Sequence, residues 1–410
     1  MKIALVSPYD FVYPGGVANH ILSLGRQLTQ MGHLVKYIAP ASKAITNHDL
    51  GDNLITIGRP SPIPTSGSIA RVPISPSMVP GLKPILNEEN FDIIHLHEPL
   101  MPMLSAGVLY HSHTINVGTF HAFDGTPGYN VLRPISDFVL GKLIQKLDRR
   151  IAVSRPAMEF VKKHFPGEYH ITPNGVDTKH FNPEVSPIEQ FCDGKLNILF
   201  VGRLEKRKGA DYLVKAYKRL KRDIPNSRLI IVGPGTVLRS KYERAVEKNG
   251  LSDVVFAGFS SYEDLPRYYQ TADVFCAPAT GWESFGIILL EAMAVGKPVV
   301  ASNIEGYAGV LTHGVEGLLV PPRNEEKLAE ALATLLTDES MRREMGTNGI
   351  AKAKEYDWQN VARQIVEHYK IARAEFPYRE KASTRRVLRE KFNWFTPRKL
   401  RLNGKANPSS

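Results

Sequence analysis

The feature that most constrains this chain is an alternation of short apolar runs with helical periods, made once over residues 2–177 and again over 197–354. In the first pass residues 2–6 read as a buried strand ending at Ser7-Pro8. Residues 17–31 read as a helix with Val17, Ile21, Leu24 and Leu28 on one stripe and Gly32 as its stop. Residues 35–39 are the next strand. A strand, a glycine turn (Gly15-Gly16), a helix and a strand predict a parallel sheet. Further strands are expected at 54–57, 91–96, 115–120, 150–153 and 171–177, with a helix at 133–147. Residues 59–84 hold seven prolines and read as loop. A linker-like stretch, 182–194, precedes the second pass. There strands are expected at 197–202, 228–232, 254–257, 273–277, 298–301 and 317–320. Helices are expected at 210–220, 237–249, 265–270, 287–294, 325–337 and 340–354, and a last one at 357–375. The fold class is α/β, two doubly wound Rossmann-like domains, and a cleft between two such sheets is a default substrate site.

A length of 410 residues suits two domains, and 43% apolar with 23% charged residues excludes the disordered and membrane-spanning classes. No run approaches the ~18–20 apolar residues that cross a bilayer. The start MKIALVSPYD is too short in apolar residues for a signal peptide, so a cytoplasmic protein is expected. Cys192 and Cys276 lack metal or redox spacing and are expected to be inert thiols. The net charge of +11 is uneven: residues 377–410 carry ten Lys or Arg against Glu380 and Glu390. The globular body is therefore nearly neutral and the tail basic.

Residues 278–300, PATGWESFGIILLEAMAVGKPVV, carry the strongest chemical signal. A strand ends at Pro278, a polar loop holds Glu283 and Ser284, and a helix begins near Phe285, Gly286 and Ile287. Amides at a helix N-terminus suit a phosphate. Glu291 follows Glu283 by eight residues, a spacing that would put both carboxylates near one helical face. Such a pair could bracket a sugar nucleotide; two solvated acids are the plainer reading. Residues 201–209, VGRLEKRKG, offer Arg203 and Lys208 to a phosphate, or are simply a basic surface loop. A departing diphosphate needs a metal ion or fixed cations and amides, and no Asp-x-Asp motif is present. His95 and His97 share one face of a strand, but no third ligand is evident, so no metal is expected. His121 follows a strand into a loop with Asp124, Gly125 and Gly128; it is either a group near the chemistry or a satisfied loop histidine.

The string Glu-Ser-Phe-Gly through Glu-Ala-Met-Ala to Pro-Val-Val-Ala-Ser resembles the donor-binding signature of retaining glycosyltransferases of the GT-B fold, the sucrose-synthase-like and glycogen-synthase-like family. By that resemblance Glu283 bonds hydroxyls of the transferred sugar and Glu291 the ribose. Arg203 and Lys208 bind the diphosphate, with Gly16 facing it from the first domain and the amides of Phe285 to Ile287 beside it. The base would sit near Gly258-Phe259. His121, in Thr-Phe-His, would bond the donor sugar near the acceptor. The last helix, 357–376, would cross back onto the first domain, which is expected to span 1–180 and bind acceptor, while 181–356 binds donor. No metal cofactor is implied. Front-face attack and a covalent intermediate both remain open.

Within that family residues 1–369 are most similar to phosphatidylinositol mannosyltransferases. The carrying motifs are Ser7-Pro8-Tyr9, Pro14-Gly15-Gly16-Val17, His95-Leu96-His97-Glu98-Pro99, Thr119-Phe120-His121 and Pro173-Asn174-Gly175-Val176-Asp177. The resemblance implies GDP-mannose as donor and a phosphatidylinositol head group meeting Tyr9 and His121. A UDP-sugar with another glycolipid or a soluble acceptor is the alternative. Those enzymes touch the membrane through a basic helix in the first domain; here the matching region, 75–89, has Lys83 as its one cation. The tail can substitute: Leu388, Phe392 and Phe395 share a helical face among basic residues, with Trp394 nearby. That pattern suits an anionic membrane surface on the cytoplasmic side; a disordered tail is the bland reading, and nucleic acid is not expected.

Overall fold

The computed structural model describes residues 1–11, 15–42, 50–65, 68–122 and 140–393, with side chains described as far as residue 377 apart from 64, 65 and 68. The first half supplies β1 (Lys2–Val6), β2 (Leu34–Ala39), β3 (Leu54–Thr56), β4 (Pro60–Thr65), β5 (Ser68–Pro73), β6 (Ile93–His97), β7 (Ile115–Phe120), β8 (Arg149–Ala152) and β9 (His170–Ile171). Seven of them form a parallel sheet ordered β3-β2-β1-β6-β7-β8-β9. The second half supplies β10 (Leu196–Val201), β11 (Ser227–Val232), β12 (Val254–Gly258), β13 (Val274–Ala277), β14 (Val299–Ser302) and β15 (Gly317–Val320). These pair in parallel as β12-β11-β10-β13-β14-β15. The two doubly wound α/β domains are as the sequence predicts. In each sheet the order reverses beside the first strand, between β1 and β6 and between β10 and β13. The carboxyl ends of strands at such a reversal are where these sheets hold ligands.

Both faces of each sheet are covered, which is why strands such as β7 and β11 are buried along their whole length. In the second domain the helix Ile287–Ala294 buries Leu289, Leu290 and Met293 completely. Each such side chain contributes about 1.5–3 kcal/mol. Gly286 starts that helix with φ +104, and a Cβ there would lie 2.7 Å from the Tyr307 ring, so only glycine fits. Gly296, with φ +79, follows its last turn as the sequence predicts.

The last helix, Trp358–Asn393, leaves the second domain and packs on the first. Val176 N–H donates to the Tyr356 carbonyl (2.9 Å) and Trp358 N–H to the Val176 carbonyl (3.1 Å), pinning the crossing. Val361, Ile365 and Tyr369 then share a core with Ile21, Leu24 and Leu28. The helix runs past its expected end at 375 and through Pro377; the loss of one N–H bond there does not stop it. Leu388, Phe392, Trp394 and Phe395 of the tail, like Asp124, Gly125, Gly128 and residues 133–139, lie outside the described side chains. No helix among the described residues is long and apolar enough to cross a membrane.

Three expectations need correction. Residues 59–84 are not loop: β4 and β5 form an antiparallel ribbon, and Val79–Glu89 is a helix with Pro84 inside it. An isolated two-stranded ribbon tolerates prolines that a central strand would not. The strand expected over 171–177 shrinks to His170–Ile171, because only β8 is there to pair with it. Glu283 stays in the loop as expected, but it does not extend the helical face of Glu291, since the helix begins at Ile287 and the chain turns left-handed at Gly286.

Candidate functional site

The loop after β13 carries Glu283 against the loop after β10. Thr280 N–H donates to the Arg207 carbonyl (2.7 Å), tying the two loops together. Glu283 Oε1 accepts from Lys208 Nζ at 2.6 Å and Arg207 Nη1 at 2.5 Å. Arg207 Nε also meets Glu205 Oε2 (3.0 Å), and Arg203 Nε meets Glu205 Oε1 (3.2 Å). Three cations thus face two carboxylates at the carboxyl end of β10, a cluster with one positive charge in excess. Removal from water would raise the Glu283 pKa, but Lys208 and Arg207 outweigh it and hold the carboxyl below its usual range. Glu283 is therefore ionised at neutral pH. The sequence placed Arg203 and Lys208 here but missed Arg207 and Glu205. Their only signal was position within the same short loop.

Ser284 is half-buried, and the Phe285 ring is buried in the domain core, 5.9 Å from the Tyr356 ring. Trp282 takes φ +58, unusual for an aromatic residue, and leaves its indole half exposed beside Glu283. The Tyr307 hydroxyl is buried without a hydrogen-bond partner among the described residues, and its ring packs where Gly286 has no side chain.

Glu291 Oε2 accepts from the Tyr269 hydroxyl at 2.7 Å. Removal from water pushes its pKa up to about 7, with the Tyr269 bond and the Lys208 charge acting the other way. Lys208 thus acts on both carboxylates although no common helix carries them. The two acids are set apart: Glu283 is charged, and Glu291 is poised to titrate near neutrality. The folded pKa of Glu291 lies above its ordinary 4.5. Its contribution to stability is therefore complete below that value and is lost as pH rises through about 7. Glu283 has the opposite sign: its contribution is present above the ordinary carboxyl range and lost as pH falls through its depressed folded value.

In the first domain the carboxyl ends of β1, β6 and β7 bring Tyr9, His97, Glu98 and His121 together. Glu98, buried and with φ +51, accepts from the N–H groups of His121 (2.7 Å) and Ala122 (2.6 Å). His97 Nδ1 lies 2.9 Å from His121 Nε2. His95 turns away and bonds Tyr369 Oη and Thr119 Oγ1, each at 2.7 Å. His20, from the helix Gly16–Gln30, places Nδ1 2.8 Å from Asn174 Oδ1. Burial, reinforced for His95, His97 and His121 by neighbouring histidines, pushes all four below the usual range, His20 to about 4 and His95 to about 3. Burial and the Glu98 charge raise Tyr9, so its phenol stays neutral. Sequence reasoning missed His20, although it precedes Leu24 and Leu28 by four and eight residues and so lies on the apolar stripe. It also saw no third ligand beside His95 and His97. The structure instead gathers His20, His97 and His121, leaving His95 out.

Gly15 is extended, with φ −162, and Gly16 opens the helix. A Cβ on either would meet no described residue within 4 Å. Among the described residues, neither the backbone nor the packing requires glycine there; residues 12–14 of the turn lie outside the described residues. A surface cavity of about 580 Å³ lies elsewhere, lined in part by Met158, His170, Thr172, Gln364 and His368, and holds none of the expected site residues.

Residues 14–180 match the Glycosyltransferase Family 4 profile and 182–352 the profile of Glycosyl transferases group 1. The phosphatidyl-myo-inositol mannosyltransferase of Mycobacterium leprae is 35% identical over 384 residues, covering 90% of this chain and 96% of the relative. The chain belongs to the GT-B glycosyltransferases. The enzyme of the same description from Propionibacterium freudenreichii is 34% identical over 380 residues, covering 91% of this transferase and 95% of that protein. Among solved structures, sucrose-phosphate synthase from Thermosynechococcus elongatus superposes with a TM-score of 0.73 at 24% identity, covering 91% of the transferase and 99% of that chain. Anabaena Alr3699/HepE in complex with UDP and glucose gives 0.72 at 21%, covering 90% and 98%. These two likenesses establish the fold class: two parallel-sheet, Rossmann-like α/β domains.

Proposed function

We propose that this glycosyltransferase moves mannose from GDP-mannose to a phosphatidylinositol-type lipid, with retention at the anomeric carbon, at the cytoplasmic face of the membrane. The observation that carries the reading is the identity of about one residue in three, along nearly the whole length, to enzymes called phosphatidyl-myo-inositol mannosyltransferase. In this reading Lys208 and Arg203 neutralise the departing diphosphate without a metal ion, helped by the helix N-terminal amides of Phe285, Gly286 and Ile287 and the Ser284 segment. Gly16 leaves the diphosphate room from the first domain. Glu283, held ionised by Arg207 and Lys208, accepts from hydroxyls of the sugar. Glu291 accepts from the ribose diol. His121 contacts the sugar near the acceptor, and Tyr9 offers a neutral phenol to the inositol ring.

The test is transfer of labelled mannose from GDP-mannose to phosphatidylinositol in anionic vesicles, beside UDP-glucose as rival donor. Mannolipid formed from GDP-mannose alone is the expected result. Donor turnover without transfer to phosphatidylinositol would sink the lipid assignment. The basic tail is assigned to docking on the anionic surface. Truncation after Phe376 should therefore reduce transfer in anionic vesicles by about tenfold and leave turnover with a detergent-dispersed acceptor within about twofold. Equal loss in both settings would assign the tail to folding instead.

Donor affinity should also depend on pH. A ribose diol donates to a carboxylate better than to a carboxylic acid. With Glu291 titrating at about 7, the donor Kd should fall by about tenfold between about pH 6 and about pH 8. Calorimetric titration of the donor at those two pH values checks this, and Glu291→Gln should flatten the profile. A profile unchanged by Glu291→Gln would remove Glu291 from the ribose.

A further inference from the structure

We propose that His20, His97 and His121 form a binding site for a zinc-class divalent cation. The three imidazoles come from three separate elements: the helix Gly16–Gln30, the end of β6 and the loop after β7. Each offers one ring nitrogen, and these nitrogens all lie within 4.8 Å of one another. Zinc binds imidazole nitrogen at about 2.0–2.1 Å, so binding draws the rings inward and replaces the His97 Nδ1–His121 Nε2 hydrogen bond (2.9 Å).

Two further observations point to an ion. The Nε2 atoms of His20 and His97 are buried and have no hydrogen-bond partner among the described residues. A buried polar atom left unpaired is unfavourable, and an ion would remove that cost. His20 Nδ1 faces Asn174 Oδ1 at 2.8 Å, which makes Nδ1–H the donor and leaves Nε2 as a lone pair. Orientation of one ring nitrogen by an amide or carboxylate oxygen is the usual support of a metal-bound histidine. The rings are also held: His20 meets His121 edge-on with centroids 4.8 Å apart, and Trp358 closes the other side at 4.9 Å.

The donor set selects the ion. Three neutral imidazoles favour zinc, nickel, copper or cobalt over magnesium or calcium, which need oxygen ligands. Three protein ligands leave a fourth position open. The three histidines belong to the first domain, whereas Arg203, Arg207 and Lys208 belong to the second. On the reading of His121 as a sugar-facing residue, an ion and a donor sugar compete for that side chain.

The test uses the full chain, dialysed against a chelator and titrated with Co²⁺, Zn²⁺ and Mg²⁺ separately. The expected result is one equivalent of Co²⁺ or Zn²⁺, visible d–d bands of low-symmetry cobalt, and no saturable Mg²⁺ binding. Asn174→Ala should weaken binding by about tenfold to a hundredfold, and His20→Gln and His97→Gln by at least as much. Circular dichroism melts of the three variants show that each is folded. His368→Gln, which alters the His170–His368 ring pair elsewhere on the surface, should bind as the parent does. The absence of saturable Co²⁺ binding would overturn the site. So would parental affinity in both His20→Gln and His97→Gln, or loss of binding in His368→Gln. The readout is the ion itself, so failure of the mannosyltransferase reading would leave this result untouched.

Discussion

Glu283→Gln should lower sugar transfer by about a hundredfold to a thousandfold, the scale on which loss of one preorganised polar contact reduces an enzymic rate. The substitution keeps the side chain's size and removes its charge. In the parent that charge holds Lys208 at 2.6 Å and Arg207 at 2.5 Å on the same oxygen. Three consequences follow from the one change. The sugar loses an ionised acceptor. Lys208 loses the carboxylate that orients it. Arg207 keeps Glu205, 3.0 Å away, and the Trp282 carbonyl, 3.4 Å away. The fold should lose about 1–3 kcal/mol, the cost of leaving a partly buried charged group underpaired. Rates measured at saturating donor, with thermal melts of both proteins, separate the two effects. A rate within about threefold of the parent would show that Glu283 is an ion-pair residue of the loop and does not touch the sugar.

Lys208→Met is expected to be nearly as damaging, by about a hundredfold in transfer, because on the proposed reading it removes the point charge that answers the departing diphosphate. Arg203→Met should cost less, since Arg203 is 40% exposed and its charge is already answered by Glu205. The Lys208 variant carries a second signature. Lys208 lowers the Glu291 pKa, so without it that group should titrate above about 7 and the pH midpoint of donor binding should move upward with it. A rate loss with an unmoved midpoint would mean that Lys208 and Glu291 are not electrostatically coupled. Calorimetric donor titrations across the pH range read the midpoint, and steady-state rates read the loss.

Much of the architecture was legible because both sheets are parallel and covered on two faces. Their strands therefore read as continuous apolar runs bounded by turns, and β10, β11 and β13 fall within a residue or two of expectation. The ribbon β4–β5 was not legible, since its alternating prolines mimic loop. The last helix was legible as far as Phe376 and hidden beyond, because Pro377 reads as a stop when its neighbours are unknown. In the site, Arg203, Lys208, Glu283, Glu291 and His121 could be named from motifs. Arg207 could not be told from any other arginine of a basic loop until Glu283 was seen against it. His20 and Asn174 lie 154 residues apart, and nothing local in either announces the other.

The sequence by itself determined that this chain makes two α/β halves, that a glycine-started helix follows Glu283, and that the tail is basic. These depend on hydrophobic period, turn residues and charge, which act over a few residues. Only the tertiary structure decided the charge states and the partners. Glu283 is ionised because two cations from another loop reach it, and Glu291 titrates near neutrality because the fold takes it out of water. Three histidines become one cluster because the reversal of strand order brings the ends of β1, β6 and β7 together. Those outcomes depend on distance through space and on burial, and the order of residues along the chain specifies neither until the sheets have closed.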